Sequence, residues 1–136
     1  MSSPREPVRL ALTATGPLVT IDVARGDEAC LAFRHSIYGS WVEETFRVAA
    51  DGLRLARLRY AEPRLVEFYG HEAARRDGAW WVVDGDGRLH PTLTVRATAE
   101  SCMQLSAGGV TVRLQDHVGP GEAVRIAVVA PSGRTE

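Results

Sequence analysis

Most of the side chains suited to chemistry lie in one short segment of the chain, FRHSIYGSWVEETF at residues 33–46. It holds five candidate polar groups: His35, Ser36, Tyr38, Glu43 and Glu44. An imidazole beside a carboxylate is the arrangement that general acid–base catalysis uses. Without proton transfer, the same groups suit the binding of a polar ligand. We therefore take His35 and Glu44 as candidate catalytic residues, and all five side chains as candidate ligand-binding residues.

The segment predicts a β-hairpin that turns at Tyr38-Gly39-Ser40. A two- or four-residue loop centred between Tyr38 and Gly39 places Arg34 opposite Glu43 as an ion pair. His35 and Glu44 then become diagonal neighbours on the apolar face, beside three large hydrophobic residues: Phe33, Val42 and Phe46. A buried carboxylate is costly without a partner, so this register predicts a contact between His35 and Glu44. A three- or five-residue loop would shift the register by one and abolish it.

A His–Glu pair on a hairpin has a structural interpretation beside the functional one. Such a pair can simply satisfy two polar groups within a β-sheet, and Ser36 beside His35 is not a catalytic dyad, because strand neighbours point to opposite faces. His71, with Glu67 and Glu72, lacks metal-ligand spacing, and no HExxH, phosphate loop or GxSxG elbow occurs. The chain has no Lys to form a Schiff base. The sequence predicts no metal site and no cofactor.

Composition restricts the class of protein and of partner. A chain of 136 residues with 45% hydrophobic and 24% charged residues is expected to fold as one domain, residues 1–136. Sixteen basic against seventeen acidic residues give a net charge of -1, which offers no footprint for nucleic acid. No apolar run approaches the roughly 18 residues of a transmembrane helix. We expect a soluble chain with a small organic ligand or a protein as partner, of undetermined oligomeric state.

Period-two alternation of apolar residues runs through almost the whole chain. It predicts an all-β fold, a compact antiparallel β-sandwich or barrel of about nine to ten short strands. Asp51-Gly52 is a hairpin signal, and the change of parity within LRLARLRY at 53–60 predicts a β-bulge near Ala56-Arg57. Residues 61–77 hold at most one short helix starting at Pro63, or an irregular loop. Trp80-Trp81 places one indole on each face.

The two cysteines, Cys30 and Cys102, match no zinc pattern. We expect both in strands of the same core, bonded only in an oxidising compartment and otherwise buried as free thiols.

Several short motifs together resemble the bacterial domain-of-unknown-function family 1850. They are HS at His35-Ser36 with VEE at 42–44, then FRVAADGLRLARLRY, DGAWWVV, the LTV strand and the closing VGPGEAVRIAV. The resemblance spans about residues 17–129 and departs from the family at 61–72, where this chain lacks a glycine-rich turn. It implies a compact β domain, usually exported or membrane-tethered. It also implies an association with TRAP-type transporters of the TAXI class, which take up small organic acids.

These observations favour a non-enzymatic module that binds a small ligand or acts as an accessory to a protein partner. Two alternatives remain: a small β-barrel enzyme of isomerase, cyclase or hydrolase type that uses His35 and Glu44 as acid and base, and a purely structural interaction domain. A periplasmic location follows if the family's export applies, and a cytoplasmic one if the chain is full length as given.

Overall fold

The computed structural model describes residues 5–131, and strands make up 57% of the structure. The chain is all-β, as predicted, and the described residues form twelve strands rather than nine or ten. The strands are β1 (Pro7–Thr13), β2 (Pro17–Ala24), β3 (Glu28–Arg34), β4 (Trp41–Ala49), β5 (Gly52–Tyr60), β6 (Arg75–Asp77), β7 (Trp80–Asp84), β8 (Leu89–His90), β9 (Thr92–Ala97), β10 (Gln104–Ala107), β11 (Val110–Arg113) and β12 (Glu122–Val129). The two shortest, β6 and β8, account for most of the difference, because two or three residues carry too little pattern to be recognised.

The strands form two antiparallel sheets. The first has the order β2-β1-β12-β9, and the second, eight-stranded sheet has the order β11-β10-β3-β4-β5-β7-β6, with β8 paired to β5. Buried side chains from both sheets form one hydrophobic core, including Leu10, Ile126, Leu31 and Val48. Because the described strands form two separate sheets that share one core, rather than one closed sheet, the architecture is a β-sandwich.

The short α-helix α1 (Pro63–Phe68) lies within the predicted window 61–77. Pro63 occupies the first turn, where a helix makes no use of the backbone N–H that proline lacks. Leu65 is the residue of the helix that is buried against the sheet. Leu65, Val42 and Tyr60 form a second, smaller apolar cluster at one end of the larger sheet, against which Trp81 packs. A 3-10 helix (Leu114–Asp116) follows β11 and was not expected from the sequence.

The predicted β-bulge is present in β5. Thr45 pairs with Arg57 and Phe46 with Leu55, which leaves Ala56 as the extra residue. The bulge turns Leu58 and Tyr60 to the inner face of the sheet, with Leu53 and Leu55, although their parity differs.

The prediction that both cysteines lie in strands of the same core is wrong: Cys30 is in a strand but half-buried on the outer face of the sheet, outside the core, and Cys102 is in no strand. Cys30 lies in β3, whereas Cys102 is exposed in the turn before β10 with a positive φ of 49°. Both are free thiols.

Candidate functional site

His35 organises the loop that joins β3 to β4. The backbone N–H of His35 donates to the Ser40 carbonyl at 2.8 Å, and Gly39 donates to the His35 carbonyl at 2.8 Å. The His35 Nδ1 atom accepts the backbone N–H groups of Ile37 at 3.2 Å and Tyr38 at 3.3 Å. An accepting Nδ1 leaves the proton of the neutral ring on Nε2. The imidazole is buried. Its Nδ1 atom therefore serves as the acceptor for two backbone N–H groups of the loop.

The hairpin register differs from the predicted one by two residues. Arg34 lies opposite Trp41, and Glu44 lies opposite Leu31. The four-residue loop is centred between Ile37 and Tyr38, one residue earlier than expected, because His35 pairs with Ser40. The predicted Arg34–Glu43 ion pair is therefore wrong: Glu43 accepts Arg59 Nη1 at 3.0 Å.

His35 and Glu44 form no ion pair among residues 5–131. A shift of two residues keeps every side chain on its predicted face, so both still belong to the inner face. Along the strand, however, His35 is four residues past Leu31, the partner of Glu44, which is about 13 Å at the rise of a β-strand. The contact that would have made this pair an acid–base couple is absent from the described part of the chain.

Glu44 instead occupies an apolar position between the two hydrophobic clusters. Its neighbours across the sheet are Leu31 and Leu58. Burial raises the pKa of the Glu44 carboxyl. The pKa of Tyr60 and that of Tyr69 are also raised, first by burial and in smaller part by the negative charge of Glu44. The negative charge of Glu44 thus acts on the two phenols of Tyr60 and Tyr69.

An aromatic cluster surrounds His35 where the loop meets α1. The Phe68 ring stands edge-on to the imidazole with centroids 4.6 Å apart, and Tyr38 stacks on its other side at 5.4 Å. Tyr69 contacts His35 at 5.7 Å and stacks on Tyr60 at 5.5 Å. Arg64 lies over the Tyr38 ring at 4.3 Å, and so adds a cation–π contact. These rings tie the loop to α1.

Buried behind this cluster, the Tyr60 hydroxyl lies 2.8 Å from Nε2 of His71. Tyr60 is 1% exposed, so this hydrogen bond joins a buried phenol of β5 to the partly exposed segment after α1. Sequence reasoning did not single out Tyr60, Phe68 or Tyr69. The only available signal was the run FYGH at 68–71, in a stretch whose structure the sequence left open.

Three large hydrophobic side chains in or near this cluster reach solvent: Phe68 and Tyr69 belong to it, and Ile37 lies in the His35 loop. Ile37 is 66% exposed, Phe68 48% and Tyr69 42%. We call these three residues together with Tyr38 the apolar end of the domain. Ser36 is exposed in the same loop, whereas Glu43 belongs to the opposite face of the sheet. The five predicted site residues are therefore divided: His35, Ser36 and Tyr38 lie at the loop, a partly buried Glu44 lies on the inner face of the larger sheet and Glu43 on its outer face.

Residues 5–131 contain no group of three His, Cys, Asp or Glu side chains placed to hold a metal ion. Within the same range, no helix is both long enough and apolar enough to cross a bilayer. The chain matches no family model, no curated protein and no solved structure.

Proposed function

We propose that this chain is a non-enzymatic accessory domain that docks a protein partner through the apolar end. The observation that carries the proposal is the exposure of Phe68 and Tyr69, two rings in contact with each other and with a buried histidine whose own loop also exposes Ile37. Isolated exposed hydrophobics are ordinary on soluble proteins, but a contiguous group that includes aromatic rings is typical of interaction sites.

The apolar end is also held in place before any partner binds. His35 fixes the loop through two backbone hydrogen bonds. Ser40 Oγ donates to the Glu62 carboxylate at the start of α1, which joins the loop to the helix from the other side. Side chains ordered in advance lose little conformational entropy on binding, so such a surface can support useful affinity from a small area.

The geometry gives less support to the enzymatic alternative. The His35 Nδ1 atom is occupied by two backbone N–H groups, and Glu44 is placed too far along the sheet to act on its ring. A general acid–base couple needs its two groups within hydrogen-bond reach of one reacting centre. His35 is therefore assigned a positioning role in the docking loop.

The proposed partner is a component of a TAXI-type TRAP transporter, and the proposed context is the uptake of small organic acids. The support for this choice is the resemblance to family 1850, which begins with the HS and VEE motifs at 35–44 and continues through the later motifs quoted above. The first of those motifs lies at the start of the docking loop.

Binding of the purified chain to the TAXI-type proteins encoded in its source genome, measured by biolayer interferometry, tests this function. Ile37→Ser and Phe68→Ser should each weaken binding roughly tenfold or more, as expected for an interface hot spot. Val110→Ser is the matched control, because Val110 is also exposed, at 46%, but lies on β11 and is not part of the apolar end. Equal affinity of all three variants, or no binding to any transporter protein, would contradict the proposal.

A further inference from the structure

Four arginine side chains border one depression on the outer face of the larger sheet, the side turned away from the core. The depression has a volume of about 460 Å³ and is lined by Arg57, Arg59, Arg75, Arg76, Asp77 and Val82. The pairing of strands brings these residues together: Val82 lies between Arg59 on β5 and Arg75 on β6. Because Val82 is buried, the guanidinium groups stand over an apolar floor.

A second depression of about 270 Å³ lies on the same face and is lined by two indoles. Its residues are Ala32, Trp41, Glu43, Trp80 and Gln104. Ala32 is small and buried, which leaves space above it on the sheet. A flat apolar ring is the shape that such an indole-lined surface accepts best.

Arg59 connects the two depressions. Its guanidinium lies 4.5 Å from the centre of the Trp80 ring, and its Nη1 atom donates to Glu43 at 3.0 Å. The Nε–H group of Arg59 is buried and has no hydrogen-bond acceptor within the described residues. A buried donor without an acceptor is costly, and a small rearrangement around a bound acid group would satisfy it.

We propose that this outer face binds a small organic anion that carries a flat ring and one acid group. The acid group binds the guanidinium groups of Arg57, Arg59 and Arg75, while the ring occupies the depression between Trp41 and Trp80. Arginine suits this role because its planar group presents several donors to one carboxylate or phosphate. The site shares no residue with the apolar end, so it stands independently of the docking function.

The charges on this face favour a small anion over a polyanion. Arg57 is paired with Glu28 at 2.8 Å, and Arg75 with Asp84 at 2.9 Å. These carboxylates leave unused donors on each guanidinium, which a single acid group can engage. A nucleic acid strand laid across the sheet would meet several negative charges on the same face, which opposes binding through phosphate contacts.

The test follows the indole N–H signals in a ¹⁵N-correlated NMR spectrum. The chain has three Trp residues, so each signal can be assigned to one of them. The probes are 2-naphthoate and 2-naphthyl phosphate. Comparing them shows whether the site prefers a carboxylate or a phosphate as the acid group. The neutral 2-naphthamide and ringless acetate are the control compounds. The signals of Trp41 and Trp80 should shift with the aromatic acids, whereas the Trp81 signal should not, since Trp81 packs on the inner face.

The Arg59→Gln variant should bind the aromatic acid roughly tenfold to hundredfold more weakly by calorimetry, the usual effect of losing a hydrogen bond to a charged group. Arg9→Gln is the matched control, because Arg9 makes a comparable ion pair with Asp22 on the other sheet. Thermal unfolding of Arg59→Gln verifies that the variant is folded. Unchanged affinity in folded Arg59→Gln, equal binding of 2-naphthamide, or salt-dependent binding of a single-stranded oligonucleotide in place of the acids would overturn the proposal.

Discussion

The imidazole of His35 meets the ring of Phe68 edge to face, with centroids 4.6 Å apart and planes inclined at 81°. His35 follows β3 and Phe68 ends α1, so this contact joins two segments separated by more than thirty residues of chain. The same imidazole accepts two N–H groups of its own loop. One buried side chain therefore sets both the shape of the docking loop and its distance from the helix.

Replacement of His35 by Ala should destabilise the domain by roughly 2–4 kcal/mol, because it removes a packed ring and leaves two backbone donors without their acceptor. Chemical denaturation measures the loss, and hydrogen exchange of the Ile37 and Tyr38 amides should accelerate. Ser36→Ala is the control, since Ser36 is exposed in the same loop. A His35→Ala variant as stable as Ser36→Ala would contradict the positioning role.

Glu44→Gln should stabilise the protein at neutral pH. Burial raises the pKa of Glu44 in the folded state, so the folded state binds the proton more tightly than the unfolded state does. Stability is therefore lost as the pH rises from the unfolded value of about 4.3 through the raised folded value. Urea unfolding across this range should show a gain for Glu44→Gln at neutral pH that disappears in acid.

The matched control for this experiment is Glu43→Gln. Glu43 bonds to Arg59 in a partly exposed ion pair, so its loss should cost at most about 1 kcal/mol. If Glu43→Gln were strongly destabilising and Glu44→Gln lost stability as well, the assignment of the two carboxylates to opposite faces would be wrong.

The fold class, and the face of the sheet on which each side chain lies, could be predicted from the sequence because both depend on local periodicity. The bulge at Ala56 follows from a change of parity within a single strand, and the separation of Trp80 from Trp81 follows from alternation alone. The hairpin register could not be fixed in this way. The loop is centred one residue earlier because His35 satisfies the loop amides with its side chain, a contact that no pattern of apolar residues encodes.

The aromatic cluster was missed for a related reason. Phe68, Tyr69 and His71 lie in or just after a helix of six residues, too short for helical periodicity to be recognised. Their partners Tyr60 and His35 lie on β5 and after β3, so the cluster exists only once the sheet and α1 have packed together.

Cys102 should react with iodoacetamide at least several-fold faster than Cys30. Cys102 is exposed, whereas burial, and in smaller part the charge of Glu43, raise the pKa of the Cys30 thiol and reduce its reactive thiolate. Intact mass after timed alkylation measures the two rates, and Cys102→Ser should remove the fast one. A disulfide in the isolated protein, or a fast rate that survives in Cys102→Ser, would contradict this assignment.

Gly85 lies against the bulge of β5 and should not tolerate a side chain. Its N–H donates to the Ala56 carbonyl at 2.9 Å, and a Cβ atom at this position would overlap the Leu55 carbonyl oxygen. Gly85→Ala should therefore push the 84–88 turn off the bulge and cost about 3 kcal/mol, from overpacking and lost hydrogen bonds.

Gly87→Ala separates this steric effect from simple backbone strain. Gly87 has a φ of 71°, but a Cβ atom at this position would meet no other part of the protein within 4 Å. Alanine there should therefore cost only about 1–2 kcal/mol of left-handed strain. Thermal and urea unfolding of both variants measure the difference, and the amides of Leu55 and residue 87, which bond between the turn and β5, should exchange faster in Gly85→Ala alone. Equal destabilisation by the two substitutions would show that the turn is not anchored on the bulge, because only the close approach distinguishes the two glycines.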